Sequence, residues 1–144
     1  MKIRELQRSD LDFHYFKVLS GLSASLDINF TKDHGGRFDR LWSEFVQNDN
    51  YHILVSVSHP YILGTASLFI EQKINGKSAG HIEDVVVDTS MRGLGVGSAL
   101  IESLIKIAKR ERCYKVILNC SDKNIPFYNK FGFLKIDNGM KLVL

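Results

Sequence analysis

The stretch from Val85 to Leu100 restricts this chain more than any other. Val85-Val86-Val87 is β-branched and apolar, as a buried strand demands. Arg92-Gly93-Leu94-Gly95-Val96-Gly97 follows, leading into a helix over Ala99 to Arg112. Val96, Leu100, Leu104 and Ala108 recur there at every fourth position, one apolar face. Three glycines at alternate positions let the backbone approach a ligand without obstruction by a Cβ. The first amides of such a helix, around Gly97 and Ser98, lack intrahelical partners, and the macrodipole adds partial positive charge. Arg92 adds a full one. The combination predicts a cradle for a pyrophosphate. No Lys-Ser or Lys-Thr follows the glycines, so a P-loop does not fit. A dinucleotide fold normally opens a parallel βαβ unit with its loop, whereas this one follows an antiparallel hairpin.

The flanking sequence supplies the rest of an α/β domain. Residues 1–6 read as a first strand, and Ser9-Asp10 offers an N-cap to a helix carrying Leu11, Tyr15, Val18, Leu19 and Leu22. After Asp33-His34-Gly35-Gly36, an apolar stripe of Phe38, Leu41, Trp42, Phe45 and Val46 marks a second helix. Tyr51–Val57 and Tyr61–Glu71 form a hairpin about His59-Pro60, and the Asn75-Gly76 turn returns the chain into Ser78–Asp88. Beyond the long helix, Cys113–Cys120 reads as a strand and Asn124–Lys130 as a short helix with Pro126 in its first turn. Phe133–Ile136 and Met140–Leu144 are expected as closing strands. A chain of 144 residues suits a single domain over 1–144.

Composition excludes more than it assigns. The net charge of +3 is too small to argue for nucleic acid, and no apolar run approaches the roughly 20 residues of a membrane span. The N-terminus shows no apolar stretch followed by a cleavage site, so no secretory signal is expected. Cys113 and Cys120 stand too far apart along a strand for a disulfide, and no Cys/His spacing suggests a metal. His81-Ile82-Glu83 mimics the H-x-E of zinc deaminases, but no P-C-x-x-C follows. A reducing compartment such as the cytoplasm fits free thiols.

The loop Arg92–Gly97 resembles the R/Q-x-x-G-x-G/A acyl-CoA loop of the GNAT (Gcn5-related N-acetyltransferase) superfamily. Gly80–Val87, Cys113–Leu118 and Asn124–Phe133 are similar to the branch of that superfamily that acetylates glucosamine 6-phosphate on the way to UDP-N-acetylglucosamine. The resemblance implies a mixed, mostly antiparallel sheet flanked by helices, with acetyl-CoA as co-substrate in the cleft of splayed strands. It implies direct attack of the amine on the thioester, and a homodimer with shared sites. The alternatives are a relative acting on another primary amine (polyamine, aminoglycoside or protein N-terminus) and a non-catalytic CoA-binding module.

Residue by residue, the resemblance assigns the pyrophosphate to Arg92, Gly93, Leu94, Gly95, Val96, Gly97 and Ser98. It assigns the pantetheine arm to the main chain of Val85, Val86 and Val87 and to Asn124. Tyr128 falls beside the CoA sulfur, where a neutral phenol can protonate a leaving thiolate. Glu83 and Asp84 fall where the amine is oriented, although neighbours on a regular strand point to opposite faces. Ser23, Gln72, Lys73 and Lys115 are implied at the sugar phosphate. The sequence departs from the branch in two places: Asn119 replaces a carboxylate that positions the amine, and Val143 replaces a phosphate-binding Arg. An amide accepts a hydrogen bond but cannot take a proton. Lysines, Lys141 included, would replace a bidentate grip with point charges.

Overall fold

The computed structural model describes residues 1–11, 13–22, 33 and 35–144; Ser23 lies outside the described residues. A five-stranded sheet comprises β1 (Lys2–Glu5), β2 (Tyr51–Ser58), β3 (Tyr61–Gln72), β4 (Ser78–Val87) and β5 (Cys113–Ile117), with spatial order following chain order. Helices α1 (Phe13–Leu19) and α2 (Arg37–Val46) precede the hairpins. The first four strands pair antiparallel, whereas β5 lies parallel to β4. A parallel pair needs a crossover, and α3 (Val96–Arg110) supplies it. The short α4 (Ile125–Asn129) follows β5, with Pro126 in its first turn as expected.

Two cores sandwich the sheet. Under α3, Leu54, Leu68, Ile70 and Ile82 meet Leu100, Ile101 and Leu104. On the other face Val55, Ile62 and Val86 meet Tyr15 and Phe16 of α1 and Phe38 of α2. Burial on both faces explains why β3 is closed to solvent from Ile62 to Leu68 without a polar alternation. The aromatic stripe of α2 is only partly core. Phe38 is buried and stacks on Phe16 at 4.7 Å, while Val46 is 49% exposed.

Three expectations are corrected. Ser9-Asp10 does not cap an α-helix, because a 3-10 turn (Arg8–Asp10) intervenes before α1. The Asp10 carboxylate instead accepts both Arg4 guanidinium nitrogens at 2.6 and 2.7 Å and the Gln7 amide at 2.7 Å. A bidentate charged partner outcompetes a helix amide. The fifth strand ends at Ile117 rather than Cys120. Phe133–Ile136 and Met140–Leu144 form no strand: among the described residues the sheet ends at β5, and neither segment pairs with its outer edge.

Burial alone would push the Asp10 carboxyl up, but Arg4 and the Gln7 amide outweigh it and hold it below its ordinary value. A depressed folded-state pKa contributes stability above the unfolded value, which is lost as pH falls through the folded one. The expected outcome is loss of urea resistance in the parent protein below about pH 4. Asp10→Asn, less stable by about 1–3 kcal/mol at neutral pH, should lose less over the same acid range in urea titrations.

Candidate active site

The site begins with an irregularity between β3 and β4. Their register runs from Gln72↔Ser78 to Ser67↔Glu83 and resumes at Thr65↔Val86. Ala66 therefore faces both Asp84 and Val85, which makes a β-bulge in β4. Asp84 adopts φ 52°, a left-handed conformation that few non-glycine residues accept, Asp among them. The bulge cancels the strand alternation, so Glu83 and Asp84 are both exposed and both line the same cleft. Opposite faces were the expectation for a regular strand, and the extra residue interrupts that regularity. Ser67 Oγ donates to the Glu83 carbonyl at 3.1 Å and ties the bulge to β3.

On its other edge β4 loses its partner. Pairing with β5 ends at His81↔Ile117, yet β4 continues to Val87. A cleft of about 820 Å³ opens where the strands part, lined by Glu83 to Val87 on one side and Leu118 to Ser121 on the other. The glycine loop forms its floor. Gly93 and Gly95 have φ of 77° and 81°, and Gly95 begins α3. The first bond of that helix runs from the Ala99 amide to the Gly95 carbonyl at 3.0 Å. The amides of Val96, Gly97 and Ser98 precede that bond, and all three residues line the cleft with Arg92. Gly97 lies against the Phe127 ring, where a Cβ would stand 3.4 Å from it, in van der Waals contact. Exposed amides, a helix N-terminus and a guanidinium fit the diphosphate of a coenzyme A; the unpaired edge of β4 fits its amide-bearing arm.

Tyr128 closes the cleft. It is only 8% exposed and makes edge contacts with Phe127 and Phe133 at 4.9 and 6.0 Å between ring centroids. Its hydroxyl has no hydrogen-bond partner among the described residues, and its side chain borders the cleft. Burial, with Cys120 a smaller influence, raises the phenol above its ordinary value. It therefore stays protonated and able to donate at neutral pH. Asn124 lines the cleft as well.

A second depression of about 810 Å³ lies between β5 and the chain from Phe133 to Lys141. It shares Glu83, Leu118, Asn119, Cys120 and Tyr128 with the first, so the two open into each other around these residues. Lys115 and His81 line it. Gln72 and Lys73 line neither depression. Lys73 Nζ is instead bound to Glu71 at 2.9 Å, and the other Glu71 oxygen lies 2.8 Å from His81 Nε2. Leu94 is 64% exposed and its side chain lines no part of the cleft. Val143 and Lys141 sit in the exposed final segment. Sequence reasoning missed Lys123 and Lys130, which line the first cleft beside α4, and Gly21 and Leu22, which border it from a 3-10 turn (Ser20–Leu22). The two lysines flank the Asn124–Tyr128 segment, so their charge was visible; the approach of Gly21 depended on tertiary contact. No cluster of three metal-ligating side chains occurs among the described residues.

The sequence profile of the acetyltransferase (GNAT) family matches residues 19–133, and the chain belongs to that family. Its acetyltransferases use acetyl-CoA as co-substrate. Among relatives, the glucosamine 6-phosphate N-acetyltransferase of Trypanosoma brucei brucei is 52% identical over 85 residues, 58% of each chain. That of Candida albicans is 35% identical over 97% of this chain and 92% of its own. The crystal structure of glucosamine-6-phosphate N-acetyltransferase from Arabidopsis thaliana superposes with a TM-score of 0.88 at 35% identity, covering 99% of this chain and 97% of that one. The mixed sheet with flanking helices expected from the resemblance is therefore the fold observed.

Exchanging Arg92 for Glu should weaken acetyl-CoA binding roughly tenfold to a hundredfold by calorimetry, as expected for a lost charged hydrogen bond. Leu94→Ala, whose side chain lies outside the cleft, should change it by less than about twofold.

Proposed function

We propose that this chain transfers the acetyl group of acetyl-CoA to the amine of D-glucosamine 6-phosphate, giving N-acetyl-D-glucosamine 6-phosphate. The meeting of the two depressions around Glu83, Asn119 and Tyr128 carries the reading, because it lets an acyl donor and a polar acceptor meet. Relatives of that activity, similar over nearly the whole chain, support the choice of sugar. Acetyl-CoA supplies the acetyl group as a thioester open to attack.

The chain's own residues orient and exchange protons. The loop amides and Arg92 hold the diphosphate, assisted by Lys123 and Lys130. Main-chain groups of Val85, Val86 and Val87 hold the pantetheine arm on the edge that β5 vacates, with Asn124 facing them. The Glu83 and Asp84 carboxylates and the Asn119 side-chain carbonyl accept hydrogen bonds from the amine. Asn119 cannot take a proton, so the amine attacks as the neutral base on this reading, and turnover should rise with pH as that form fills. The Tyr128 hydroxyl donates to the departing thiolate, and the proton shed by the acylated nitrogen returns through solvent to the Tyr128 oxygen. Lys115, which lines the second depression, is assigned to the phosphate, and Ser23 and Gln72 to the sugar; Lys73, bound to Glu71 and lining neither depression, would add its charge from outside the site.

The same reading includes a homodimer. Leu134, Ile136, Met140, Leu142 and Val143 are between 75% and 98% exposed, a run of apolar side chains with no strand partner in this chain. Contiguous exposed apolar surface favours a protein contact. The segment also walls the second depression, so a partner seated on it would complete the acceptor site. Two free thiols support a reducing compartment, which we take to be the cytoplasm. No described helix is long and apolar enough to cross a membrane.

Thiol release measured against a panel of amines should be confined to glucosamine 6-phosphate. Turnover on a polyamine or aminoglycoside instead would replace the acceptor, and acetyl-CoA binding without turnover would reduce the chain to a binding module. Tyr128→Phe should lower kcat about a hundredfold with little change in KM for acetyl-CoA. Undiminished turnover at saturation would remove Tyr128 from the proton-donor role. In sedimentation equilibrium the full chain should be dimeric and a chain lacking residues 134–144 monomeric; a monomeric full chain would refute the shared-site reading.

A further inference from the structure

The described residues hold a nucleophile that this chemistry leaves unused. Cys120 lies just beyond β5, is exposed, and lines both depressions where they meet. Cys113, at the start of β5, is half-buried, lines neither, and has its thiol pushed up by burial. A second feature marks the place of Cys120. The Tyr128 side chain, nine-tenths buried, brings to the same cleft a hydroxyl without a protein partner. The hydroxyl oxygen itself is not buried, so it opens to the cleft and is free to donate to a ligand atom there. Cys120 is close enough to that hydroxyl to bear on its titration. The cleft that seats coenzyme A therefore brings its sulfur to a protein thiol as well as to a phenol.

We infer that Cys120 is a covalent capture site for the disulfide of coenzyme A, and that the mixed disulfide switches the enzyme off. The inference rests on the assignment of this cleft to acetyl-CoA and of its inner end to the sulfur. With CoA disulfide held by the loop, the Cys120 thiolate attacks the near sulfur. A bond forms between Cys120 Sγ and that sulfur while the S–S bond breaks. Its electron pair leaves on the second coenzyme as a thiolate, which takes up the proton that Cys120 gave to solvent. Protein thiol and CoA disulfide become protein–CoA mixed disulfide and free CoA, with CoA disulfide as the oxidant. The product holds its coenzyme portion in the acetyl-CoA cleft, so acetyl-CoA is excluded until a thiol reductant attacks. Selectivity comes from docking: the loop raises the local concentration of a disulfide bearing a nucleotide, whereas glutathione disulfide has nothing for the loop to grip.

The test treats the full chain with CoA disulfide or an equal concentration of glutathione disulfide and follows intact mass and peptide maps. The expected adduct is one coenzyme A less two hydrogens, confined to Cys120. It should form at least about tenfold faster than the glutathione adduct, be slowed by saturating acetyl-CoA, and be removed by dithiothreitol with return of turnover. Cys120→Ser should form no adduct and keep, after treatment, the turnover it had before. An adduct on Cys113, equal rates for the two disulfides, or no protection by acetyl-CoA would overturn the proposal. Acetyl-CoA binding by calorimetry on the same preparation separates the two layers. Normal binding without an adduct sinks the capture site alone, and absent binding sinks the cleft assignment beneath it.

Discussion

The parting of β4 from β5 is the constraint on which the site depends. A parallel pair held by hydrogen bonds along its full length would leave no main-chain groups free and no space between the strands. Here pairing stops at His81↔Ile117, and β4 runs on alone into the glycine loop. The bulge opposite Ala66 accompanies that departure, adding a residue to β4 and increasing the local twist. β4 is thus tied firmly on one edge and bare on the other. A bare edge in a sheet interior is costly unless a ligand with amide groups satisfies it.

The left-handed backbone of Asp84 follows from the same constraint. A non-glycine residue at φ 52° carries strain. What accompanies it is geometric, since two consecutive acidic residues line one cleft. Charge is divided accordingly. On the proposed reading, Arg92 and the helix N-terminus serve the anionic end of a coenzyme, while Glu83 and Asp84 serve an amine. The net charge of +3 says nothing of this separation, because it averages groups with different tasks.

Much of the architecture was legible because it rests on local rules. The hairpins follow from β-branched runs about turn residues, and α3 follows from apolar residues at every fourth position. The glycine loop could be placed because positive φ at Gly93 and Gly95 is a backbone demand written into residue type. The failures share a different character. Ser9-Asp10 has the chemistry of a cap, but Arg4 claims the carboxylate from a strand. The final apolar segments have the composition of strands, but composition does not bring them to the outer edge of β5.

The candidate site divides along the same line. By itself the sequence pointed to a candidate anion cradle, since a glycine loop, a helix N-terminus and an arginine are contiguous in the chain. It also singled out Tyr128, through a segment shared with a family. Only the tertiary structure decided that Glu83 and Asp84 share a cleft, that Lys73 is engaged by Glu71 and His81, and that Cys120 borders both depressions. These relations are set by a bulge, a register and the distance between strands. They are properties of pairs of elements, which residue type constrains but does not specify.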